Sequence, residues 1–221
     1  VNRSTKKRMH PGLAAHFPAD TIHDKVARVL CETHSIPRKE FYESWSFVSR
    51  ARRHLDAPVV WDLCAGHGLV ALLFALLEPS LESVRAVDQQ QPSSFEKMRQ
   101  GLMAIDPVRI AKVTFDVLRL DALEPPPGRV FVTAVHACGR RTDRALDLAL
   151  ASRSSVAVLP CCHDTTSVSI PPAVLQRFSK RDAVDLSRMF RLHAAGYRTI
   201  ARRVDDESTQ CADAIIGIAP P

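Results

Sequence analysis

The sequence predicts an α/β fold: a mainly parallel, seven-stranded sheet with helices on both faces, a C-terminal antiparallel pair, and helices ahead of the first strand. Three observations predict it. From Pro58 onward, strand-like and helix-like segments alternate at the spacing of βαβ units. Two of only eight glycines, Gly66 and Gly68, fall together in the turn after the first strand. Two final strand-like runs close the chain as an antiparallel pair.

The elements follow in order. Residues 1–20 carry Pro11, Gly12 and Pro18 and read as a frayed tail. Residues 21–34 open on Thr21, a helix cap, and space Ile22, Val26, Val29 and Leu30 along one face. A second helix is expected from Arg38 to Leu55, with Phe41 and Trp45 in the core and Arg38 and Tyr42 free to line a pocket or stack on a base. Val59–Cys64 is a short buried strand, Leu69–Leu77 an apolar helix and Val84–Asp88 a second strand. A helix over 93–104 begins with a Ser93/Glu96 capping box. Strands at Val113–Val117, Arg129–Val135 and Ser155–Pro160, helices at Thr142–Ala151 and Asp182–Ala195, and the pair Tyr197–Arg203 and Ala214–Ile218 complete the pattern. Thr142 and Asp143 are cap candidates for their helix. Two parts are expected: an N-terminal tail and helical extension over 1–57, and a main domain over 58–221.

Composition narrows the class. The chain is 46% hydrophobic and 24% charged, ordinary for a packed globular core. No apolar run reaches the roughly 18 residues of a membrane span, and no apolar stretch follows the basic N-terminus, so a soluble cytoplasmic protein is expected. The six cysteines form no C-x-x-C pair, and reduced, mostly buried thiols are expected, with no metal site. The net charge of +6 is uneven. Residues 1–57 hold 11 Lys and Arg against 6 acids, and residues 172–203 hold 8 against 2. Two basic blocks beside a nearly neutral middle favour a polyanionic partner, nucleic acid before membrane; the alternative is a solvated arginine-rich surface. Both blocks are expected to face the strand tips, with Arg52 and Arg53 among the phosphate contacts.

Gly66-His67-Gly68-Leu69-Val70-Ala71 matches the G-x-G-x-x-G/A pattern of dinucleotide sites, with Asp88 near the place of a ribose-binding acid. Asp62, four residues before Gly66, argues against a pyrophosphate, which it would repel, and suits a cationic ligand. Asp62-Leu63-Cys64-Ala65-Gly66-His67-Gly68 resembles the D-x-x-x-G-x-G signature of class I S-adenosylmethionine-dependent methyltransferases. The resemblance covers residues 58 to about 218 and implies the Rossmann-like class I methyltransferase fold with S-adenosylmethionine as cofactor. It implies that Asp62, Cys64, Ala65, Gly66 and Gly68 frame the methionine end, that Asp88 holds the ribose hydroxyls, and that Asp116 or Asp121 sits near the adenine.

Two further stretches, His136-Ala137-Cys138-Gly139-Arg140-Arg141-Thr142-Asp143 and Pro160-Cys161-Cys162-His163-Asp164, follow the fourth and fifth strands. They resemble the H-x-C-G-x-x-T-D and C-C-H-H elements of acceptor-stem tRNA 2′-O-methyltransferases and of related methyltransferase-like proteins. This chain departs from them in two ways: residues 1–57 hold only Cys31 where those enzymes carry zinc-binding motifs, and Asp164 stands in place of the second histidine. The resemblance implies RNA, tRNA before other RNA, as the acceptor and RNA modification as the role; a protein or small-molecule acceptor is the alternative. His136 and His163 are candidate bases for an acceptor hydroxyl, with Asp143 beside them, and His136 is also placed against the cofactor. Cys161 and Cys162, if on a strand, point to opposite sides and do not share an ion. The remaining reading is structural, with the cysteines as small packed residues and His136 as a pocket wall. No obligate protein partner is evident.

Overall fold

The structure, a computed structural model, describes residues 2–165, 168–204 and 213–221. Strands β1 (Val59–Leu63), β2 (Ser83–Asp88), β3 (Val113–Val117), β4 (Phe131–Val135), β5 (Ser155–Leu159), β6 (Arg198–Arg203) and β7 (Asp213–Ile218) form one sheet in the order β3-β2-β1-β4-β5-β7-β6. The first five run parallel, β7 runs antiparallel to β5, and β6 runs antiparallel to β7. The chain winds outward from β1 through β2 to β3, then crosses back to β4. Such a reversal leaves a crevice at the carboxyl ends of the two central strands, where ligands of doubly wound sheets bind.

Helices α1 (Ile22–Thr33), α2 (Arg38–Ala51), α3 (Leu69–Leu77), α4 (Ser93–Met103) and α5 (Pro107–Ile110) share one apolar core with one face of the sheet. Helices α6 (Arg140–Ala151) and α8 (Lys180–Ala194) cover the other face, and the short α7 (Pro172–Leu175) precedes α8. Strand alternation divides the side chains between the cores: Val60 and Phe131 on the α3 side, Trp61 and Val132 on the α6 side. Helix α3 is apolar around its whole circumference because sheet, α2, α4 and α5 enclose it. Thr21 caps α1 as expected, its hydroxyl accepting from Asp24 N–H.

Several expectations need correction. Residues 2–20 are not a frayed tail. Pro11–His16 is a 3-10 turn, Arg8 bridges Pro37, and Met9, Leu13 and Phe17, each four apart, are buried against α1 and α2. Helix α2 ends at Ala51 and continues only as a 3-10 turn to His54. The Ser93/Glu96 box does not form: Pro92 is the cap residue and Glu96 pairs with Arg99 instead. Helix α6 starts two residues early, behind Gly139, so Thr142 and Asp143 lie inside its first turn rather than capping it. Tyr42 is buried, with the Arg3 guanidinium 4.9 Å from its ring centre, and is closed to a base. Cys31 is the one fully buried thiol among the described residues, against the expectation of mostly buried thiols; Cys211 lies outside the described residues. Among the described residues no helix is long and apolar enough to cross a membrane.

Two members of the basic blocks do not face the crevice as expected. Helix α2, 14 residues and about 21 Å long, runs beside α3 from that helix's start to its end. Its Glu40 meets the glycine turn at the strand tips, whereas Arg52, just past its end, bonds Glu78 and the Leu77 carbonyl at the far end of α3. Arg52 therefore sits opposite the crevice. From the second block, Arg188 is buried and ion-paired.

Candidate active site

The turn after β1 is built by short-range chemistry. Gly68 N–H donates to Ala65 O at 2.7 Å, Ala65 N–H to Val87 O at 3.1 Å, and Gly68 O accepts from Leu72 N–H to start α3. Gly68 has φ +76° and an added Cβ would meet the Phe95 ring at 2.5 Å, so only glycine fits. Gly66, φ +53°, faces open space. Cys64 and His136, both non-glycine, also have φ +56°, one at the tip of β1 and one at the tip of β4. Backbone strain of this kind collects at functional sites.

Asp62 lies on β1 facing α3 and is almost wholly buried. Its Oδ1 accepts from the Thr133 hydroxyl at 3.0 Å, across from it on β4, while Oδ2 has no hydrogen-bond partner. Burial pushes the Asp62 carboxyl up to about 7, the Thr133 hydroxyl and the nearby Ala71 amide opposing the shift and Asp88 adding to it. Asp88, at the end of β2, accepts from Gly66 N–H at 2.9 Å and pins the turn. Burial also lifts the Cys64 thiol to about 12, so it is a neutral wall.

Three adjoining cavities follow the strand tips. One of about 250 Å³ lies over the glycine turn, lined by Ala65, Gly66 and His67. The next, about 180 Å³, is lined by Asp88, Leu118, Leu120 and Arg141. Cys64 and His136 line both. The outermost, about 460 Å³, shares Gln89, Leu120 and Arg141 with its neighbour and adds Arg119, Asp121 and Arg140.

Two acids of α2 reach this crevice, and sequence reasoning missed both. Glu43, buried, takes His136 Nε2 at 3.0 Å. A carboxylate only accepts, so Nε2 carries a proton toward Glu43, and in the neutral imidazole Nδ1 holds the lone pair. Glu40 takes His67 Nδ1 at 3.0 Å, and that bond raises the His67 pKa above its ordinary value against the opposing effect of burial. The signal was present in Lys39-Glu40-Phe41-Tyr42-Glu43: acids three apart on a helix whose neighbours are core aromatics.

The other predicted residues separate. His163 Nε2 bonds Asp185 at 2.9 Å, Asp185 meets Arg188, and Arg188 forks onto Asp143 at 2.9 and 3.2 Å. His163 and Asp143 thus belong to one ion-pair chain that ties α6 to α8, and neither lines the three cavities. Asp116 is held by Arg85 at 2.5 Å, and that Arg85 lies over the Trp61 ring, whereas Asp121 is exposed at the outer cavity. Cys161 and Cys162 lie beyond the end of β5, where strand alternation no longer separates them, and both sulfurs meet Cys138.

A family model described as a methyltransferase domain matches residues 38–168. A search of curated proteins finds no match. The methyltransferase domain of a bacterial Hen1 is 15% identical with a TM-score of 0.53, covering 80% of this chain and 97% of that one. The CcbJ methyltransferase from Streptomyces caelestis is 17% identical with a TM-score of 0.51, covering 83% and 97%. The 16S rRNA methyltransferase KamB is 18% identical with a TM-score of 0.50, covering 78% and 92%. At these identities the likeness shows a shared fold.

Proposed function

The chain belongs to the methyltransferase-domain family, and from that premise we propose that it transfers a methyl group from S-adenosylmethionine to RNA, tRNA before other RNA, at a hydroxyl. The observation that carries the cofactor is the cavity over the glycine turn, lined by Cys64, Ala65 and Gly66, with Asp88 in the cavity beside it. Asp62, at the root of that turn, lines none of the three cavities; with only the Thr133 hydroxyl and the Ala71 amide beside it, its buried carboxylate sets a field that suits an ammonium or sulfonium and opposes a pyrophosphate. The open side of Gly66 leaves room for the methionine end, and Asp88 in the neighbouring cavity is set for the ribose diol. Asp121, exposed at the outer cavity and held only loosely by Arg119 at 3.5 Å, is more available toward the adenine than Asp116, which Arg85 holds at 2.5 Å.

The bound cofactor supplies an electrophilic methyl carbon. The chain's own part is to orient the acceptor and take its proton. His136 borders both inner cavities, with Nδ1 free to accept a proton. Glu43, accepting from Nε2–H, fixes the tautomer and offsets the charge of the imidazolium that forms. The RNA reading rests on Arg119, Arg140 and Arg141 around the outer cavity, where phosphates would be held beside the reacting centre. KamB, a relative in fold, is named for 16S rRNA.

Isotope-labelled S-adenosylmethionine, incubated with the protein and separate tRNA, rRNA, protein and small-molecule fractions, tests the acceptor. Label in ribose-methylated nucleosides of tRNA is expected. Label confined to protein or small molecules would move the acceptor to another class. Calorimetry should find binding of S-adenosylmethionine and S-adenosylhomocysteine; binding of NAD alone would remove the premise for the cofactor.

A further inference from the structure

We propose that Cys138, Cys161 and Cys162 form a binding site for one soft divalent cation, zinc by the chemistry of the ligands, clasping the loops that leave β4 and β5. The inference does not depend on the acceptor proposed above. The three sulfurs converge from two loops, with separations of 2.8 Å (Cys138–Cys161), 3.2 Å (Cys138–Cys162) and 3.7 Å (Cys161–Cys162).

Neutral thiols have little reason to crowd in this way. An S–H group is a weak donor and sulfur a weak acceptor, so three of them gain little from mutual contact. Ordinary packing would draw them into the core, yet Cys161 and Cys162 are exposed and Cys138 is half-buried. A disulfide joins two sulfurs at about 2.05 Å and gives the third nothing to do. A cation accounts for all three. Zinc–sulfur bonds of about 2.3 Å place tetrahedral ligands roughly 3.8 Å apart, which the Cys161–Cys162 pair already meets and the other two reach by opening by about 1 Å or less. Thiolate ligands select zinc over magnesium or calcium.

The site has a consistent surrounding. Binding breaks three S–H bonds, forms three zinc–sulfur bonds and releases three protons to the buffer, leaving one net negative charge. Arg140 and Arg141, on the cavity that Cys138 and Cys162 also line, face that charge. Two of the three ligands belong to the cavity wall, so the fourth position opens there, to a water or an incoming oxygen. Cys138 and Cys161 both approach the His136 carbonyl, at 3.5 and 3.7 Å, so the clasp would also set the strained backbone at His136.

The test uses the full chain, reduced and freed of metal. Zinc or cobalt is added, excess is dialysed away and metal is measured by mass spectrometry. One equivalent is expected, with thiolate-to-cobalt charge-transfer absorption in the cobalt form and no retention of magnesium. Zinc should protect Cys138, Cys161 and Cys162 of the unmodified chain from alkylation while Cys64 is unaffected, a readout that needs no variant to fold. Cys138→Ser and Cys161→Ser should each weaken zinc binding at least about a hundredfold, and Cys31→Ala should not. No metal retained by the reduced protein, alkylation unchanged by zinc, or retention unaffected by Cys138→Ser would overturn the proposal. So would a Cys138–Cys161 or Cys138–Cys162 disulfide in a protein that binds no metal once reduced.

Discussion

A carboxyl group held at about 7 inside a protein keeps a proton that water would remove, and at Asp62 that has measurable consequences. Below the ordinary value of 3.8 the group is protonated in both folded and unfolded chains and pH has no effect through it. Between 3.8 and about 7 only the unfolded chain releases the proton, so stability falls as pH rises, and above about 7 the cost is constant. Asp62→Asn should therefore raise the thermal midpoint of the ligand-free protein, more at about pH 8 than at about pH 5. Binding of a cationic cofactor draws on the ionised form. Calorimetry should find its affinity rising by up to about tenfold per pH unit toward pH 7 and flat with pH in Asp62→Asn, whose affinity is also lower by at least about tenfold. A wild-type affinity independent of pH would mean that Asp62 does not meet the cation. The second prediction concerns His136. His136→Ala should lower kcat about 100-fold or more, and Glu43→Gln about tenfold, with the dissociation constant of S-adenosylmethionine little changed in both. Equal losses in turnover and affinity would mark the pair as a wall of the cofactor site. Asp62 was legible in the sequence because its four-residue spacing to Gly66 is local. Glu43 was not, because it lies 93 residues from His136 and only the packing of α2 beside α3 brings them together.

Among elements, the glycine turn separates two roles that share one residue type. Gly68→Ala should cost about 1–3 kcal/mol of stability by denaturant titration, since the methyl group must displace Phe95 and φ is +76°. Gly66→Ala has no such neighbour and should cost about 1 kcal/mol, yet its methyl group would occupy the cleft and reduce cofactor affinity strongly. Equal stability losses would contradict this division. The clamp between α6 and α8 behaves differently. Asp143→Ala leaves the buried Arg188 with Asp185 as its remaining acid and should destabilise by about 3 kcal/mol, the low end for a broken buried pair, the loss in activity following the loss of folded protein. Normal stability with lost turnover would return Asp143 to the reaction. The strands and long helices were readable because their periodicity belongs to each segment alone. The short α5 and α7, four residues each, are too brief to show a period. The first residue of α6 was misread because Gly139, with φ +58°, begins the helix where side-chain caps were expected.

For the whole molecule, charge location matters more than charge count. Arg119→Glu with Arg140→Glu should weaken RNA binding and flatten its salt dependence, because both side chains rim the outer cavity. Arg52→Glu with Arg53→Glu should leave RNA affinity nearly unchanged in the same filter-binding titration, since Arg52 anchors the opposite edge to Glu78. The reverse result would put the nucleic acid on the wrong side of the sheet for methyl transfer. Sequence blocks could not show this, because one helix carries its charges from one end of α3 to the other. The edge strand β6 accounts for part of the remaining basicity. β6 lies at the margin of the sheet, and its Arg198 and Arg202 are exposed, while Arg203 pairs with Asp213 at 3.2 Å. An unpaired strand margin offers its amides and carbonyls to any other chain. Like charges along it keep two copies from docking margin to margin, and that repulsion is screened within about 8 Å at physiological ionic strength. These arginines thus act on colloidal behaviour: the protein is best protected from self-association in dilute salt, and concentrated salt removes the guard.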